Sequence, residues 1–382
     1  MGPLLLVDKS FIQSLSEEEI EFLDKHYLVI ITPILVQEIC ANLLKYPDDE
    51  NLSKAKVSIL AKKARGFSAK VVGRAEDICT SSLLGERIEL EPCIPIRGGR
   101  EVSAADGTKG IVFEESIESK TLARWAQMEF RDQDLKLAAD HIKRASYDLE
   151  TSGKAMADEF PRNAKYKTFE ELVASIDRNL TEYPGQGETI ESCMSALGLP
   201  EPIRVLVRDR WTMMGKPHFR AFAEYAYYWY RLGSVFWIGV TSGLIPTSKK
   251  AKALCDVQYF NYLPFAHAFC TNDRFQQELS QYFLREEQEF IWGEDLKKDL
   301  DIIASCYRHI TEEERKYYEF HYGHYPPPTI GSITHILWQN FMRPWTPRSG
   351  NLVSEMSDEI KKELVEKIKG ITNAFDQQAN KK

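Results

Sequence analysis

The stretch Leu4-Leu5-Leu6-Val7-Asp8, close to the start of the chain, decides the fold class. Four apolar residues ending at an acidic one predict a short buried strand, Leu4–Val7. A helix over Glu17–Lys25, a second strand over Leu28–Thr32 and a helix opening at Pro33 are predicted to follow. This strand–helix–strand–helix order predicts an α/β fold with a central, mostly parallel sheet.

The same pattern returns in the last third of the chain. A helix capped by Ser248 is predicted to run to about Tyr262 and to stop at Pro264. His267–Thr271 is predicted as a strand, with Asp273 starting the helix after it. Further helices are expected over 118–149, 168–181, 188–197, 202–214, 219–232, 295–320 and 356–375, and a hairpin within 90–110.

Composition limits the classes of function. The net charge of −8 argues against a protein that binds duplex phosphates over its whole surface. The seven cysteines are dispersed without a CxxC pair, which indicates reduced thiols and a cytoplasmic location. The longest apolar stretches are shorter than the roughly 20 residues that a membrane-spanning helix needs, so no membrane partner is expected.

Two acidic residues follow predicted strands. Asp8 comes directly after the first strand, and Asp273 follows the strand His267–Thr271. In open α/β sheets, ligands bind outside the carboxyl ends of the strands. Each residue has a structural explanation as well: Asp8 suits a helix cap, and Asp273 with Gln276 matches a capping box.

Two further acids lie in apolar helical stretches. Glu38 stands in an almost wholly apolar run, where a carboxylate needs a partner unless it reaches solvent. Asp256 shares a helical face with Tyr259, Phe260 and Leu263, so we expect it to point inward.

These stretches together resemble the PIN-like superfamily of metal-dependent nucleases. The matching segments are LLLVDKSF (4–11), VIITPILVQEI (29–39) and DVQYFNYLPFAHAFCTNDRF (256–275). FLREEQEFIWGEDLKKDL (283–300) is similar to the continuation of an uncharacterised bacterial PIN-like family. In compact PIN-like domains these two acids are close together in the sequence, whereas over 200 residues separate Glu38 from Asp256 in this chain.

The resemblance implies a three-layer α/β/α domain interrupted by a helical module. Residues 1–48 and 216–300 are expected to form the PIN-like core, 49–215 a helical insertion and 301–382 a helical C-terminal extension. It also implies a hydrolase, a metal-dependent endonuclease acting on nucleic acid, with RNA favoured over DNA because ribonucleases predominate in the superfamily.

Phosphodiester hydrolysis then requires one or two Mg²⁺ or Mn²⁺ ions, which take oxygen ligands. We assign Asp8 as the central bridging ligand, with Asp256 and Asp273 as direct or water-mediated ligands. Glu38 is expected to hold a second ion or to orient the attacking water. Ser10, Thr271 and Asn272 are expected to support these ligands.

Cations are needed to draw nucleic acid toward an acidic site. Residues 51–74 contain seven Lys or Arg and no acid, and a second basic group lies at 204–220. For each group, a solvent-exposed helix face with no ligand is the alternative explanation. The candidates for contact with nucleic acid are Lys54, Lys62, Lys63, Arg65, Arg208 and Arg220.

One other enzyme class is excluded, and two further readings of the same fold remain open. A haloacid-dehalogenase phosphatase would need a second Asp at position 10, which is Ser10. The main alternative is a catalytically silent PIN-like scaffold or nucleic-acid-binding module in a larger complex. A toxin or phage-defence effector held by a protein partner or inhibitor is a further reading of the same fold.

Overall fold

The computed structural model describes residues 2–66, 70–95, 99–103, 109–113, 115–145, 166–246, 250–327, 331–343 and 362. Five strands form one sheet: β1 (Leu4–Val7), β2 (Leu28–Ile31), β3 (Lys70–Val71), β6 (Ala268–Thr271) and β7 (Glu289–Trp292). Their order is β3-β2-β1-β6-β7, and every neighbouring pair is parallel. The prediction of an α/β fold with a parallel sheet is confirmed.

Strand β1 lies at the centre of this sheet. All four of its residues are buried, as expected for a strand covered on both faces. Leu5 pairs with Val29 on one side and with Ala268 on the other. A separate antiparallel hairpin joins β4 (Gly99–Ser103) to β5 (Lys109–Phe113), overlapping the range where a hairpin is predicted.

Helices fill most of the remaining described chain. They are α1 (Lys9–Ser14), α2 (Glu17–His26), α3 (Pro33–Ala41), α4 (Glu50–Ala64), α5 (Ala75–Leu84), α6 (Ile117–Ala126), α7 (Asp132–Ala145), α8 (Phe169–Glu182), α9 (Gln186–Ala196), α10 (Glu201–Met213), α11 (Phe219–Phe222), α12 (Glu224–Thr241), α13 (Lys250–Gln258), α14 (Arg274–Ser280), α15 (Gly293–Arg308), α16 (Glu312–Tyr322) and α17 (Ile333–Phe341). Asn42–Leu44 and Tyr259–Phe265 form 3₁₀ turns. None of the described helices combines the length and apolar character needed to span a bilayer.

The single long helix predicted over 118–149 is wrong. The chain breaks between α6 and α7, where Met128 takes a φ of 63°. Asp134 fixes this turn, because its carboxylate accepts hydrogen bonds from the Arg131 N–H at 2.8 Å and from both Nη atoms of Arg124 at 2.9 Å. The ion pair between half-buried Arg124 of α6 and buried Asp134 of α7 therefore stabilises the break, and helix propensity alone does not predict it.

Two other helices are also interrupted. The predicted helix over 219–232 divides at Ala223, where the Phe222 carbonyl accepts a hydrogen bond from Arg210 Nη2 at 3.1 Å. The predicted helix over 295–320 divides before Glu312, where Thr311 and Glu314 form a capping box. The predicted Ser248 cap lies outside the described residues, as does the predicted tail helix over 356–375 apart from Lys362.

One hydrophobic core contains residues from all four predicted segments. Leu5, Leu60, Phe269 and Leu337 belong to the same buried cluster. The range 49–215 contributes β3 to the edge of the main sheet, so it is not wholly a helical insertion. The expected boundary at residue 300 falls inside α15. The division into core, insertion and extension otherwise stays a prediction.

The end of α2 buries a neutral histidine. The Nδ1–H of His26 donates to the carbonyl oxygen of His324 at 2.9 Å, and the ring stacks on Phe22. Its Nε2 has no hydrogen-bond partner among the described residues. Burial lowers the pKa of His26 to about 4, because a charged imidazole would have to be desolvated.

Acid should therefore destabilise the fold through His26. An unfolded histidine binds a proton near pH 6.5, so stability is lost as pH falls from there toward about 4, by up to about 3 kcal/mol. Urea unfolding from pH 4 to 7 should show a shallower pH dependence for His26→Gln than for the unsubstituted protein. The exposed His309→Gln serves as the control, and equal slopes for His26→Gln and the unsubstituted protein would contradict this assignment.

Candidate functional site

The sheet reverses its strand order between β1 and β6. From β1 the chain adds β2 and β3 on one side, and then crosses to add β6 and β7 on the other. In open α/β sheets, such a switch point leaves a crevice outside the carboxyl ends of the two strands. Asp8 follows β1 and Asn272–Asp273 follows β6, so their side chains stand at this crevice.

Asp8 is a buried carboxylate that also caps α1. The residue is 5% exposed. One oxygen accepts from the Phe11 N–H at 2.9 Å, and the other accepts from the Ser10 hydroxyl at 2.7 Å. Burial raises the pKa of Asp8, and the hydrogen bonds from the Ser10 hydroxyl and the Phe11 N–H offset this only in part. Asp8 can therefore cap α1 and still stand at the predicted site.

Asp273 caps α14 with one oxygen and forms a salt bridge with the other. Its Oδ1 accepts from the N–H groups of Phe275 at 2.9 Å and Gln276 at 3.2 Å. Its Oδ2 bonds to the ammonium of Lys252. Burial opposes ionisation, but Lys252 and the backbone donors outweigh it, so the pKa of Asp273 lies below its usual value.

The predicted capping box at Asp273 forms only in part. The Gln276 side chain does not return to the Asp273 N–H, which instead donates to Thr271 Oγ1 at 2.9 Å. Gln276 accepts from the Thr271 hydroxyl at 2.6 Å and donates to the Asp256 carbonyl at 3.0 Å. This fully buried amide therefore ties the end of β6 to α13, which carries Asp256.

Asp256 is buried among other acids. The residue is 7% exposed, in agreement with the predicted inward face. Its pKa is raised to about 8: burial is the largest cause, Lys252 opposes it, and the charges of Asp273, Glu38 and Asp8 add to it. Lys252 Nζ lies 3.7 Å from Asp256 Oδ2.

Glu38 joins this group from α3. Its Oε2 accepts a hydrogen bond from the Tyr259 hydroxyl at 2.5 Å. Burial raises the pKa of Glu38, with a contribution from the charge of Asp8, while Tyr259 and Lys9 lower it. Lys9 Nζ donates to the Glu38 carbonyl at 3.2 Å. A glutamate predicted to need a partner therefore has one in Tyr259.

The structure brings all four predicted acids into one electrostatically coupled group, although Glu38 and Asp256 lie far apart in the chain. As the side chains stand, Lys252 bridges Asp256 and Asp273. Within the described ranges, no group of three or more His, Cys, Asp or Glu side chains is arranged to hold a metal ion. The assignment of the four acids as metal ligands stays a prediction.

The residues expected to support the ligands also lie at the crevice. Ser10 and Thr271 hydrogen-bond within it as described above. The Oδ1 of Asn272 is buried and has no hydrogen-bond partner in the described part of the chain. A Cβ on Gly293 would stand 2.7 Å from that oxygen, so this glycine permits the close approach of α15 to Asn272.

Sequence reasoning missed the two lysines of the site. Lys252 precedes Asp256 by four residues, a spacing that places both on one helical face and could have indicated the pair. Lys9 follows Asp8 directly, and burial lowers its pKa against the opposing charge of Glu38. Both lysines supply positive charge to the acids.

Most of the predicted nucleic-acid-binding cations have protein partners. Lys54 pairs with Glu50, Arg208 with Glu191 and Glu201, and Arg220 with Glu224. Lys63 donates to the carbonyl oxygen of Leu15. Lys62 and Arg65 are exposed near the end of α4 and have no ion pair among the described residues. Contact of any of these cations with nucleic acid stays a prediction.

No family model matches this chain, and no curated protein and no solved structure matches it either. Its function is therefore inferred from its own residues and their arrangement.

The acid cluster should destabilise the metal-free protein at alkaline pH. The raised pKa of Asp256 means that stability is lost as pH rises from about 4 toward about 8, because ionisation is disfavoured in the folded state. In EDTA at pH 9, Asp256→Asn should therefore be more stable than the unsubstituted protein by roughly 1–3 kcal/mol.

Urea unfolding at pH 6 and pH 9 measures this difference. The exposed Asp209→Asn should leave stability unchanged at both pH values. A loss of stability in Asp256→Asn at pH 9 would indicate instead that the salt bridge to Lys252 dominates.

Proposed function

We propose that this chain is a metal-dependent nuclease with a PIN-like, three-layer α/β/α domain, acting on RNA in preference to DNA. The observation that carries the proposal is the convergence of Asp8, Asp256, Asp273 and Glu38 at the switch point of the parallel sheet. Holding two buried and two half-buried acids close together is costly for folding, so a role beyond stability is the simplest reason for their presence.

The donor set suits Mg²⁺ or Mn²⁺. The side chains of Asp8, Asp256, Asp273 and Glu38 offer carboxylate oxygens at the crevice. Oxygen donors are what these hard cations prefer. Asp8, Asp256 and Asp273 would hold the ion, once the exposed side chain of Lys252 has moved away from the two carboxylates it bridges. Such an ion lowers the pKa of a bound water and neutralises charge on phosphate oxygens.

The chain's own residues would orient this site. Ser10 and the Phe11 N–H fix the Asp8 carboxylate, and Gln276 holds the Thr271 end of β6 against α13. Tyr259 fixes one oxygen of Glu38 and leaves the other for a water or a second ion. Lys252, once released from Asp273, would be available to bind a phosphate of the substrate.

A second candidate function is a catalytically silent scaffold. The observation that favours it is the Lys252 bridge, which neutralises two of the acids without a metal. In that case the lysine is a permanent structural counter-ion, and the chain serves a larger complex as a binding module. The two candidates differ in whether the acids bind a divalent ion.

Cleavage assays test the nuclease directly. Single-stranded RNA, single-stranded DNA and duplex DNA are incubated with Mg²⁺, Mn²⁺ or EDTA, and we expect ion-dependent cleavage with RNA as the best substrate. Asp8→Asn and Asp273→Asn should each lower the rate roughly 100-fold or more, because a ligand charge is lost. Asparagine also caps helices, so these variants keep α1 and α14 in place.

The exposed Asp209→Asn should cleave as the unsubstituted protein does. Cleavage that persists in EDTA, or in both Asp8→Asn and Asp273→Asn, would exclude the proposed mechanism.

Lys252→Met distinguishes the nuclease from the scaffold. If a divalent ion displaces the ammonium, removing the ammonium should tighten Mn²⁺ binding about three- to tenfold, a gain of roughly 0.7–1.4 kcal/mol. Isothermal titration with Mn²⁺ measures this, with Lys298→Met as a control that breaks an exposed salt bridge to Asp295. If neither Lys252→Met nor the unsubstituted protein binds Mn²⁺, the scaffold is favoured.

A further inference from the structure

Lys9 is a cation placed beside the acid cluster. It follows Asp8 directly as the first residue of α1, and it is half-buried. Its Nζ donates to the main-chain carbonyl of Glu38 at 3.2 Å. Among the described residues Lys9 forms no ion pair with a carboxylate, whereas Lys252 bonds directly to Asp273. A direct salt bridge therefore does not account for Lys9.

The contact between α1 and α3 does not require an ammonium at position 9. The Glu38 carbonyl also accepts a hydrogen bond from Asn42 Nδ2 at 3.3 Å, so it has a donor without Lys9. Burial lowers the pKa of Lys9, because the ammonium loses contact with water, and the carboxylates of Glu38 and Asp8 oppose this effect. Placing a charged group here is costly for folding, and a neutral donor would fill the same position at lower cost. The charge of Lys9 therefore needs a further explanation.

Neutralising the acids is not a sufficient explanation. In the proposed nuclease, a divalent ion takes over this role from Lys252. Four ionised carboxylates with one such ion still leave the site negative, so a phosphate diester entering it is repelled. A cation that stays in place beside the ion offsets this repulsion. The ammonium of Lys9 carries three protons, and with one donated to the Glu38 carbonyl the others can bind phosphate oxygens.

Lys9 is also better placed for this task than Lys252. A donor that is already fixed where charge develops stabilises a transition state more than one that must first be ordered. Lys9 is fixed by its hydrogen bond to Glu38 and by its position at the start of α1, whereas the side chain of Lys252 is exposed. Lys9 lies on the side of Asp8 and Glu38, and Lys252 lies on the side of the two acids that it bridges. Lys9 is therefore preorganised for an anion at the cluster.

We propose that Lys9 is a further catalytic residue, whose ammonium binds a non-bridging oxygen of the scissile phosphate and stabilises the negative charge that develops there during hydrolysis. This inference rests on the proposed nuclease function and adds a phosphate contact to the same site. Lys9 forms no covalent bond and keeps its protons throughout, so it acts through its charge and its hydrogen bonds alone.

Lys9→Gln tests this charge, because glutamine can still donate to the Glu38 carbonyl. In a single-turnover assay with Mn²⁺, saturating protein and a labelled single-stranded RNA, the cleavage rate should fall about 100-fold, as expected when one electrostatic contact is lost from a transition state. Mn²⁺ affinity, measured by isothermal titration, should be unchanged or tighter, because a positive charge has been removed. Lys298→Gln removes an exposed lysine and should leave the cleavage rate and the Mn²⁺ affinity unchanged.

The salt dependence of RNA binding measures the phosphate contact itself. With Ca²⁺ in place of Mn²⁺, and with the RNA checked on a gel for integrity, fluorescence anisotropy gives the dissociation constant of a labelled RNA decamer at several salt concentrations. Loss of one phosphate contact on a single strand lowers the magnitude of the slope of log affinity against log salt by about 0.7. We expect this decrease in Lys9→Gln and not in Lys298→Gln. A purely structural role of Lys9 would not change the slope.

An unchanged slope in Lys9→Gln would overturn the proposal even if cleavage is slow, because Lys9 would then act on the protein structure alone. An unchanged cleavage rate, or a loss of Mn²⁺ affinity of more than about threefold, would overturn it as well. Ion-dependent cleavage that Lys9→Gln leaves intact removes the role of Lys9 and keeps the nuclease.

If the unsubstituted protein cleaves no RNA, the nuclease is removed, and a slope that falls in Lys9→Gln then keeps Lys9 as a phosphate contact. An RNA that does not bind the unsubstituted protein at all overturns the contact too. Should Lys9→Gln fail to fold in a thermal melt, Lys9→Met takes its place in both measurements, with Lys298→Met as its control.

Discussion

The parallel pairing of β1 with β6 is the interaction on which the candidate site depends. Leu5 pairs with Ala268 and Val7 with Cys270, and all of these residues are buried. The strand backbones therefore carry Asp8 and Asp273 to the same edge, whatever their charges favour. Hydrophobic burial along the two strands supplies the free energy that holds like-charged side chains close together. The positions of Asp256 and Glu38 follow, because α13 and α3 pack around that edge.

Charge balance at this edge depends on two lysines of different character. Lys9 is half-buried beside Glu38, whereas Lys252 reaches in from an exposed position on α13. The half-buried Lys9 is held in place by its hydrogen bond to the Glu38 carbonyl, whereas the exposed Lys252 can leave without disturbing the core. The carboxylates are consequently held in place by the backbone and hydrogen bonds of Ser10, Gln276 and Tyr259, while their neutralising charge is exchangeable. Fixed carboxylates with an exchangeable counter-charge are what a cation-binding site needs. The same arrangement is also consistent with a stable ion pair to Lys252.

The sequence was sufficient to predict those features that depend on local pattern. The strands β1 and β6, the acids directly after them and the inward face of Asp256 follow from apolar runs and helical spacing. The break at Met128 could not be predicted, because it depends on the ion pair between Arg124 and Asp134. The cavity lined by Gln37, His141 and Asn261 was equally hidden, since these residues come from separate segments and share no spacing. Contacts between distant segments produce no periodic pattern in the sequence, so they cannot be predicted from it.

The distance along the chain between the two central strands has a consequence for biosynthesis. The Leu4 N–H donates to His267 Nδ1 across 263 residues, next to the β1–β6 pair. Contacts of such high sequence separation form slowly, and domains are completed only as the ribosome delivers their last elements. A nascent chain therefore holds Asp8 and Glu38 without Asp256 and Asp273 until most of the protein has been synthesised. The centre is assembled late in translation, and fragments released before residue 256 lack half of its acids.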